Sequence, residues 1–333
     1  MAMSKPKVGF YWCASCGGCE EAVVDLAEDV LKVIEAVDIA FWPVALDFKR
    51  SDLEQMRDDE LAACFVNGAI RTSEQKEMAE LLRKKSQLLI AFGSCAHLGG
   101  VPGLANLWDR QAILAYVYNE ASSVTNAAGI VPQPQTKANG HTITLPVFGD
   151  TVSPLDQMVE VDYYLPGCPP PVKLIVNAVT AILESKLPPR GTVLAPDKAL
   201  CDECPRKATK PEKLAVKELK RPHQILVDSE KCLLAQGLLC LGPATRSGCG
   251  ASCIFGNMPC TGCLGPTSRV RDYGGKALSA IASTLDSNNE NEIAALMDQI
   301  VDPVGMFYRY SLPASLLHRR VQQARPSQGG APA

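Results

Sequence analysis

The sequence predicts an α/β protein: a doubly wound parallel sheet followed by an irregular, cysteine-rich segment. Three observations predict it. Apolar strand-like runs alternate with helix-periodic segments through the first half, the pattern of a parallel sheet wrapped by helices. That periodicity fades between Cys201 and Pro266, where cysteine, glycine and proline dominate. Twelve of the 14 cysteines sort into three sets of four.

Lys7–Trp12 is the first apolar strand, and Val23, Leu26, Val30 and Ile34 then recur at helical spacing. Residues 37–42 form a second strand closed by Pro43, and 64–70 a third. Ser73 reads as a helix N-cap with Lys76 at the third helical position, a cap without the full box, and its helix runs to about Lys85. Residues 88–92 are a fourth strand leading into Gly93-Ser94-Cys95, and 161–165 a fifth leading into Pro166-Gly167-Cys168. Pro171 suits the first turn of a helix reaching about Lys186. Residues 121–150, rich in Asn, Gly, Pro and Thr, read as an irregular insertion, and Leu187-Pro188-Pro189-Arg190-Gly191 as a linker. The second half offers few apolar positions for a conventional core, so metal ligation is expected to organise it. Helical patterns return at 276–285 and 293–300, and 327–333 is expected to be disordered.

The 333 residues suffice for two domains, and 47% hydrophobic with 21% charged residues is ordinary for a soluble protein. A net charge of −3 gives no bulk attraction to nucleic acid or an anionic membrane. No apolar signal segment, twin-arginine motif or run of 18 apolar residues is present. The expectation is a cytoplasmic, reducing compartment with no membrane span, where paired Cys-x-x-Cys means metal or redox chemistry rather than disulfides. No nucleophile–base pair, phosphate loop or dinucleotide fingerprint is evident, so no catalytic residue is expected on this chain.

The three sets are Cys16, Cys19, Cys95 and Cys168; Cys201, Cys204, Cys232 and Cys240; and Cys249, Cys253, Cys260 and Cys263. A 4Fe–4S cluster needs four thiolates, so three sets suggest a row of clusters, an electron wire. In an open α/β sheet, ligands bind at the carboxyl ends of the strands. Cys16 and Cys19 follow strand one, Cys95 strand four and Cys168 strand five, which brings them to one edge. Gly17, Gly18, Gly93, Gly99, Gly100 and Gly167 would permit close backbone approach there, with amides donating to cluster sulfur. Cys13-Ala-Ser-Cys16-Gly-Gly-Cys19 begins like a bacterial ferredoxin run, but Val23 stands where its fourth cysteine would be. Spacing leaves both Cys13/Cys16 and Cys16/Cys19 open as the pair used, and it leaves open an exchange of Cys240 with Cys253 between the later sets. Cys64, in an apolar strand, reads as a small buried hydrophobe, and Cys13 as a structural thiol. His97 is either a donor to cluster sulfur or an ordinary loop histidine. His223 is a distal-ligand candidate that Cys201 makes unnecessary. The alternative chemistry for the second half is zinc held by its Cys-x-x-Cys pairs, in an interaction protein with no redox role.

At Cys16-Gly-Gly-Cys19-Glu20, Gly93-Ser94-Cys95 with Gly99-Gly100, and Pro166-Gly167-Cys168-Pro169-Pro170 the chain resembles the small subunit of nickel–iron hydrogenases. Pro259-Cys260-Thr261-Gly262-Cys263 and the step from Cys240 to Cys249 extend the resemblance over roughly residues 7–270. Asn67-Gly68-Ala69, Cys201-Asp202-Glu203-Cys204-Pro205 and Lys231-Cys232-Leu233-Leu234 are similar to the cytoplasmic methyl-viologen-reducing type that associates with heterodisulfide reductase.

The resemblance implies a flavodoxin-like domain over 1–186 with the proximal cluster on Cys16, Cys19, Cys95 and Cys168, which leaves Cys13 outside. It implies a linker at 187–199, an iron–sulfur domain over 200–320 and a disordered tail at 321–333. Cys249, Cys253, Cys260 and Cys263 would hold the medial cluster, and Cys201, Cys204, Cys232 and Cys240 the distal one. Cys201 stands where exported members carry histidine, and Cys253 supplies a fourth medial ligand, so three 4Fe–4S clusters are implied. Gly18 and Gly100 stand where oxygen-tolerant members carry two extra cysteines, implying an oxygen-sensitive proximal cluster. The implied partners are a large subunit with the nickel–iron centre, a 2Fe–2S adaptor subunit and heterodisulfide reductase. A complex I-like relay subunit is the neighbouring reading. That group carries two adjacent cysteines where this chain has Cys16-x-x-Cys19, and it lacks the second-half cysteines.

Overall fold

The structure, a computed structural model, describes residues 5–317, so the tail expected at 321–333 lies outside the described residues. Five parallel strands form the central sheet: β1 (Lys7–Trp12), β2 (Asp38–Phe41), β3 (Ala63–Asn67), β5 (Leu89–Phe92) and β9 (Tyr163–Leu165). Their order, β2-β1-β3-β5-β9, is the flavodoxin-like order for five parallel strands. Side chains alternate between two buried faces. Val8, Phe10, Phe65, Ile90, Phe92, Tyr163 and Leu165 point one way, under α1 (Gly18–Val24), α2 (Asp29–Ala36) and α7 (Val172–Leu183). Cys64, Val66, Leu89 and Ala91 point the other way, under α3 (Arg50–Gln55) and α4 (Ser73–Lys85).

Several expectations are corrected. The helical period from Val23 to Ile34 is divided between α1 and α2, because Ala27 takes a left-handed backbone between them. The third strand does not run on to Ile70. Gly68, at φ 87, turns the chain, and β4 (Ile70–Thr72) pairs instead with β8 (Phe148–Ser153). The cap of α4 is Thr72, not Ser73. Its hydroxyl accepts from the Gln75 amide at 3.3 Å and the Gln75 side chain accepts from the Thr72 amide at 3.0 Å, a full box. The insertion is not wholly irregular: after α5 (Ser94–Leu98) and α6 (Arg110–Ala115) it holds the exposed hairpin β6 (Gln135–Ala138) and β7 (His141–Thr144), and then β8.

The second half has a conventional core after all. Leu200, Val216, Leu233, Leu241 and Ile254 pack with Tyr273, Ile281 and Phe307 from α9 (Tyr273–Ala282) and α11 (Pro303–Phe307). Most of these residues arrive singly from loops, so no period announces them. Between them lie α8 (Ser252–Phe255) and α10 (Glu290–Met297), and both later helices, α9 and α10, begin about three residues before the expected positions, where Asp272 and Asn289 cap them. Arg246, 1% exposed, ties the second half to the linker: it donates to the carbonyls of Ala195, Pro196 and Pro266 and pairs with Asp197 at 3.1 Å.

Candidate metal centres

At the carboxyl ends of the sheet strands, Gly17 (φ 85) turns the chain into α1, which carries Cys19 inward. Gly93 (φ 87) leads into α5 and Cys95, and Cys168 follows β9. A Cβ on Gly93 would overlap the sulfur of Cys19, and one on Gly100 would overlap the sulfur of Cys95. Only glycine lets these loops approach the thiols so closely. Burial, then Cys95, Cys168 and Cys16, pushes the Cys19 thiol well up. Burial, then Cys168 and Cys16, pushes Cys95 up to about 12. Cys168 is raised by burial and by Cys16. The four thiols are thus within electrostatic reach of one another. Cys13 is elsewhere: it lies in the opposite core with Cys64, and burial raises both. Of the two pairs left open by spacing, the fold brings Cys16 and Cys19 to this quartet.

The second quartet lines one cavity. Cys201, Cys204, Cys232 and Cys240 surround it with Leu200, Leu233 and Lys210. Gly242 lies beneath, where a Cβ would stand 3.6 Å from the sulfurs of both Cys201 and Cys240. Burial raises Cys201 to about 11, against the opposing charge of Lys210 and with Cys240, Cys204 and Cys232 adding.

In the third quartet, burial raises Cys263 to about 12, with Cys249 and Cys253 adding and the Cys168 amide opposing as a donor to its sulfur. Cys249 is raised by burial and by Cys253, against the amides of Ala251 and Ser252. Cys260 is raised by burial and by Cys240, and its sulfur sits 3.7 Å from the Thr245 hydroxyl. The fold places Cys240 in the cavity of Cys201, Cys204 and Cys232, and Cys253 beside Cys249 and Cys263.

Two crossings link the quartets. The Ser94 hydroxyl, beside Cys95, donates to the Cys263 carbonyl, and the Cys168 thiol lies close enough to raise Cys263. The Leu241 amide, beside Cys240, donates to the Cys260 carbonyl at 2.9 Å, and Cys240 lies close enough to raise Cys260. The order in space is therefore the set of Cys16, then that of Cys249, then that of Cys201.

The donors fit iron–sulfur clusters. They are all thiols, which are soft ligands, and each set is fed by backbone amides, among them Val101 to Cys95 and Gly262 to Cys260. Buried bare thiols keep their protons, and a metal's positive charge is what releases them. Among the described residues no three Cys, His, Asp or Glu side chains close on a single ion site.

His97 and His223 stand apart from these sets. His97 stacks on Tyr164 at 4.7 Å between ring centroids, and its enclosure lowers its pKa to about 3. His223 lines a surface groove with Lys220 and Arg221. Sequence reasoning missed Glu203, which accepts from the Gly248 amide at 2.9 Å with the Cys249 sulfur 3.9 Å away. Its place inside Cys201-x-x-Cys204 was the available signal. Glu20 of the Cys19 motif is buried and held by Trp42, just after β2, and by Asn67 of β3 at 2.7 Å, which the motif alone did not reveal.

The profile of the family described as NADH ubiquinone oxidoreductase, 20 Kd subunit, matches residues 16–182. The iron–sulfur subunit of the F420-non-reducing hydrogenase of Archaeoglobus profundus is 39% identical over 95% of this chain and 98% of its own length. The chain belongs to the family of F420-non-reducing hydrogenase iron–sulfur subunits. Another member, from Methanothermobacter thermautotrophicus, is 36% identical over 96% of this chain and 98% of its own. The fold of this family is shared more widely: a chain of the [NiFeSe] hydrogenase of Desulfovibrio vulgaris Hildenborough superposes with a TM-score of 0.52 at 16% identity, covering 83% of this chain and 97% of that one.

Proposed function

We propose that this chain is the electron-transfer small subunit of a cytoplasmic nickel–iron hydrogenase whose hydrogen-activating centre lies in a partner large subunit. Cys16, Cys19, Cys95 and Cys168 hold the proximal cluster, Cys249, Cys253, Cys260 and Cys263 the medial, and Cys201, Cys204, Cys232 and Cys240 the distal. Loaded with 4Fe–4S clusters, the quartets supply one-electron redox centres in a row. The chain's own part is to release four thiol protons per set, to stabilise the resulting charge with backbone amides, and to keep bulk water out with the core around Leu241 and Tyr273. The observation that supports this reading is the pair of crossings between neighbouring quartets, Ser94 to the Cys263 carbonyl and Leu241 to the Cys260 carbonyl.

In this reading 1–186 is the proximal-cluster domain, 187–199 the linker and 200–320 the iron–sulfur domain. The distal quartet faces a 2Fe–2S adaptor subunit and, through it, heterodisulfide reductase. No helix among the described residues is long and apolar enough to cross a membrane.

The test is nickel, iron and zinc in the complex purified anaerobically from its source. Nickel with about 12 iron atoms assignable to this chain, as three 4Fe–4S clusters demand, is the expected result. The match of the 20 Kd subunit profile to residues 16–182 favours a second reading, a relay in a complex I-like assembly. Abundant iron without nickel would select that reading, and zinc in place of iron would end both.

A further inference from the structure

Arg71 is the least explained side chain in the molecule. It sits on β4, 6% exposed, and its Nε, Nη1 and Nη2 are all enclosed with no hydrogen-bond partner among the described residues. A guanidinium stays charged, and leaving it buried and unpaired costs far more than a ring face returns. The ring it does meet is Phe148, 4.2 Å from Cζ. The nearby Asp150 attracts it only through space: that carboxylate lies 3.4 Å from Arg110, which also donates to the Phe148 carbonyl at 3.0 Å.

The surroundings face outward. Phe148, the cover, is 36% exposed. Trp108, Tyr116 and Val117, just before the insertion, and Val147 within it are exposed to solvent, and an open apolar groove runs between Trp108 and α6. Scattered apolar residues are ordinary on a surface, whereas a contiguous set flanking a buried, unpaired cation marks an interface. The same strand pair borders the proximal quartet: Ala69 and Val152 pack against Cys95, while Cys16 and Cys168 open to the outside.

We infer that this face docks the hydrogenase large subunit, and that an acidic side chain of that subunit pairs with Arg71 once Phe148 turns aside. The inference rests on the hydrogenase reading. A carboxylate is the fitting partner because its two oxygens match the guanidinium fork, and its charge removes the burial penalty. The apolar rim supplies the dry surround that makes such a pair count.

The test uses the purified complex. Arg71→Met, of similar length and apolar, should retain its iron content yet weaken large-subunit binding by at least about 30-fold, as loss of one partner of a buried charge pair does. Arg71→Lys, which keeps the charge without the fork, should lose less. A benzophenone photocross-linking residue placed at Phe148 should capture a large-subunit peptide containing Asp or Glu. Wild-type affinity in Arg71→Met, or cross-links that reach only other subunits, would overturn the docking while nickel in the complex still upheld the hydrogenase reading. A complex without nickel would overturn both.

Discussion

A thiol can serve a cluster only if the backbone around it makes room, and two glycines do this at the proximal quartet. The sulfurs of Cys19 and Cys95 occupy the places where side chains of Gly93 and Gly100 would begin. Both glycines also hold positive φ, at 87 and 59, which a Cβ would strain. Gly93→Ala is therefore expected to lose the proximal cluster's EPR signal while the medial and distal signals persist. A full proximal signal in that variant would show that space at Gly93 does not matter. That Cys16, Cys19, Cys95 and Cys168 come together was legible in the sequence, because Cys-x-x-Cys spacing and strand-end placement carry information. The residues beside them were less so. His97 stands two positions from Cys95, yet its ring turns onto Tyr164, and Glu203 meets Cys249 only because the chain folds back. Spacing along a chain says nothing about such turns.

Among the elements, periodic segments were read well and their ends less well. β1 and β5 are buried strands whose apolar runs stand out, and they fall where expected. The third strand was read too long because Gly68 and Ala69 continue its apolar pattern while Gly68 reverses the chain. That reversal creates β4, and with it the buried position of Arg71. The start of α4 shifted by one residue because Thr72 and Ser73 are both good caps, and only the Gln75 side chain chooses between them. Thr72→Ala should cost about 1 kcal/mol, the usual worth of an N-cap. Thermal unfolding of the loaded chain would register it as a fall of a few degrees at most. No change would mean that Ser73 takes over the cap.

The whole molecule depends on a joint that neither half contains. Cys263 belongs to the second half, yet its carbonyl accepts from Ser94 and its thiol lies beside Cys168, both in the first. Cys263→Ser is expected to leave the proximal quartet intact and to interrupt the row after it. Hydrogen should then reduce the proximal centre of the purified complex, while the distal centre stays oxidised in freeze-quenched EPR. Normal reduction of the distal centre would remove Cys263 from the path.

The sequence by itself determined the parallel α/β class and singled out twelve candidate thiols, because alternating burial and paired cysteines leave local, periodic marks. Tertiary structure decided how the thiols divide. Cys16 rather than Cys13 meets Cys95, Cys240 enters the cavity of Cys201, and Cys253 stays with Cys249. It also decided that the cysteine-rich half has its own apolar core, and that Arg71 is buried without a hydrogen-bonded partner among the described residues. The physical reason is the same in each case. These features arise where segments far apart in sequence close on one another, and burial, unlike periodicity, belongs to no single segment.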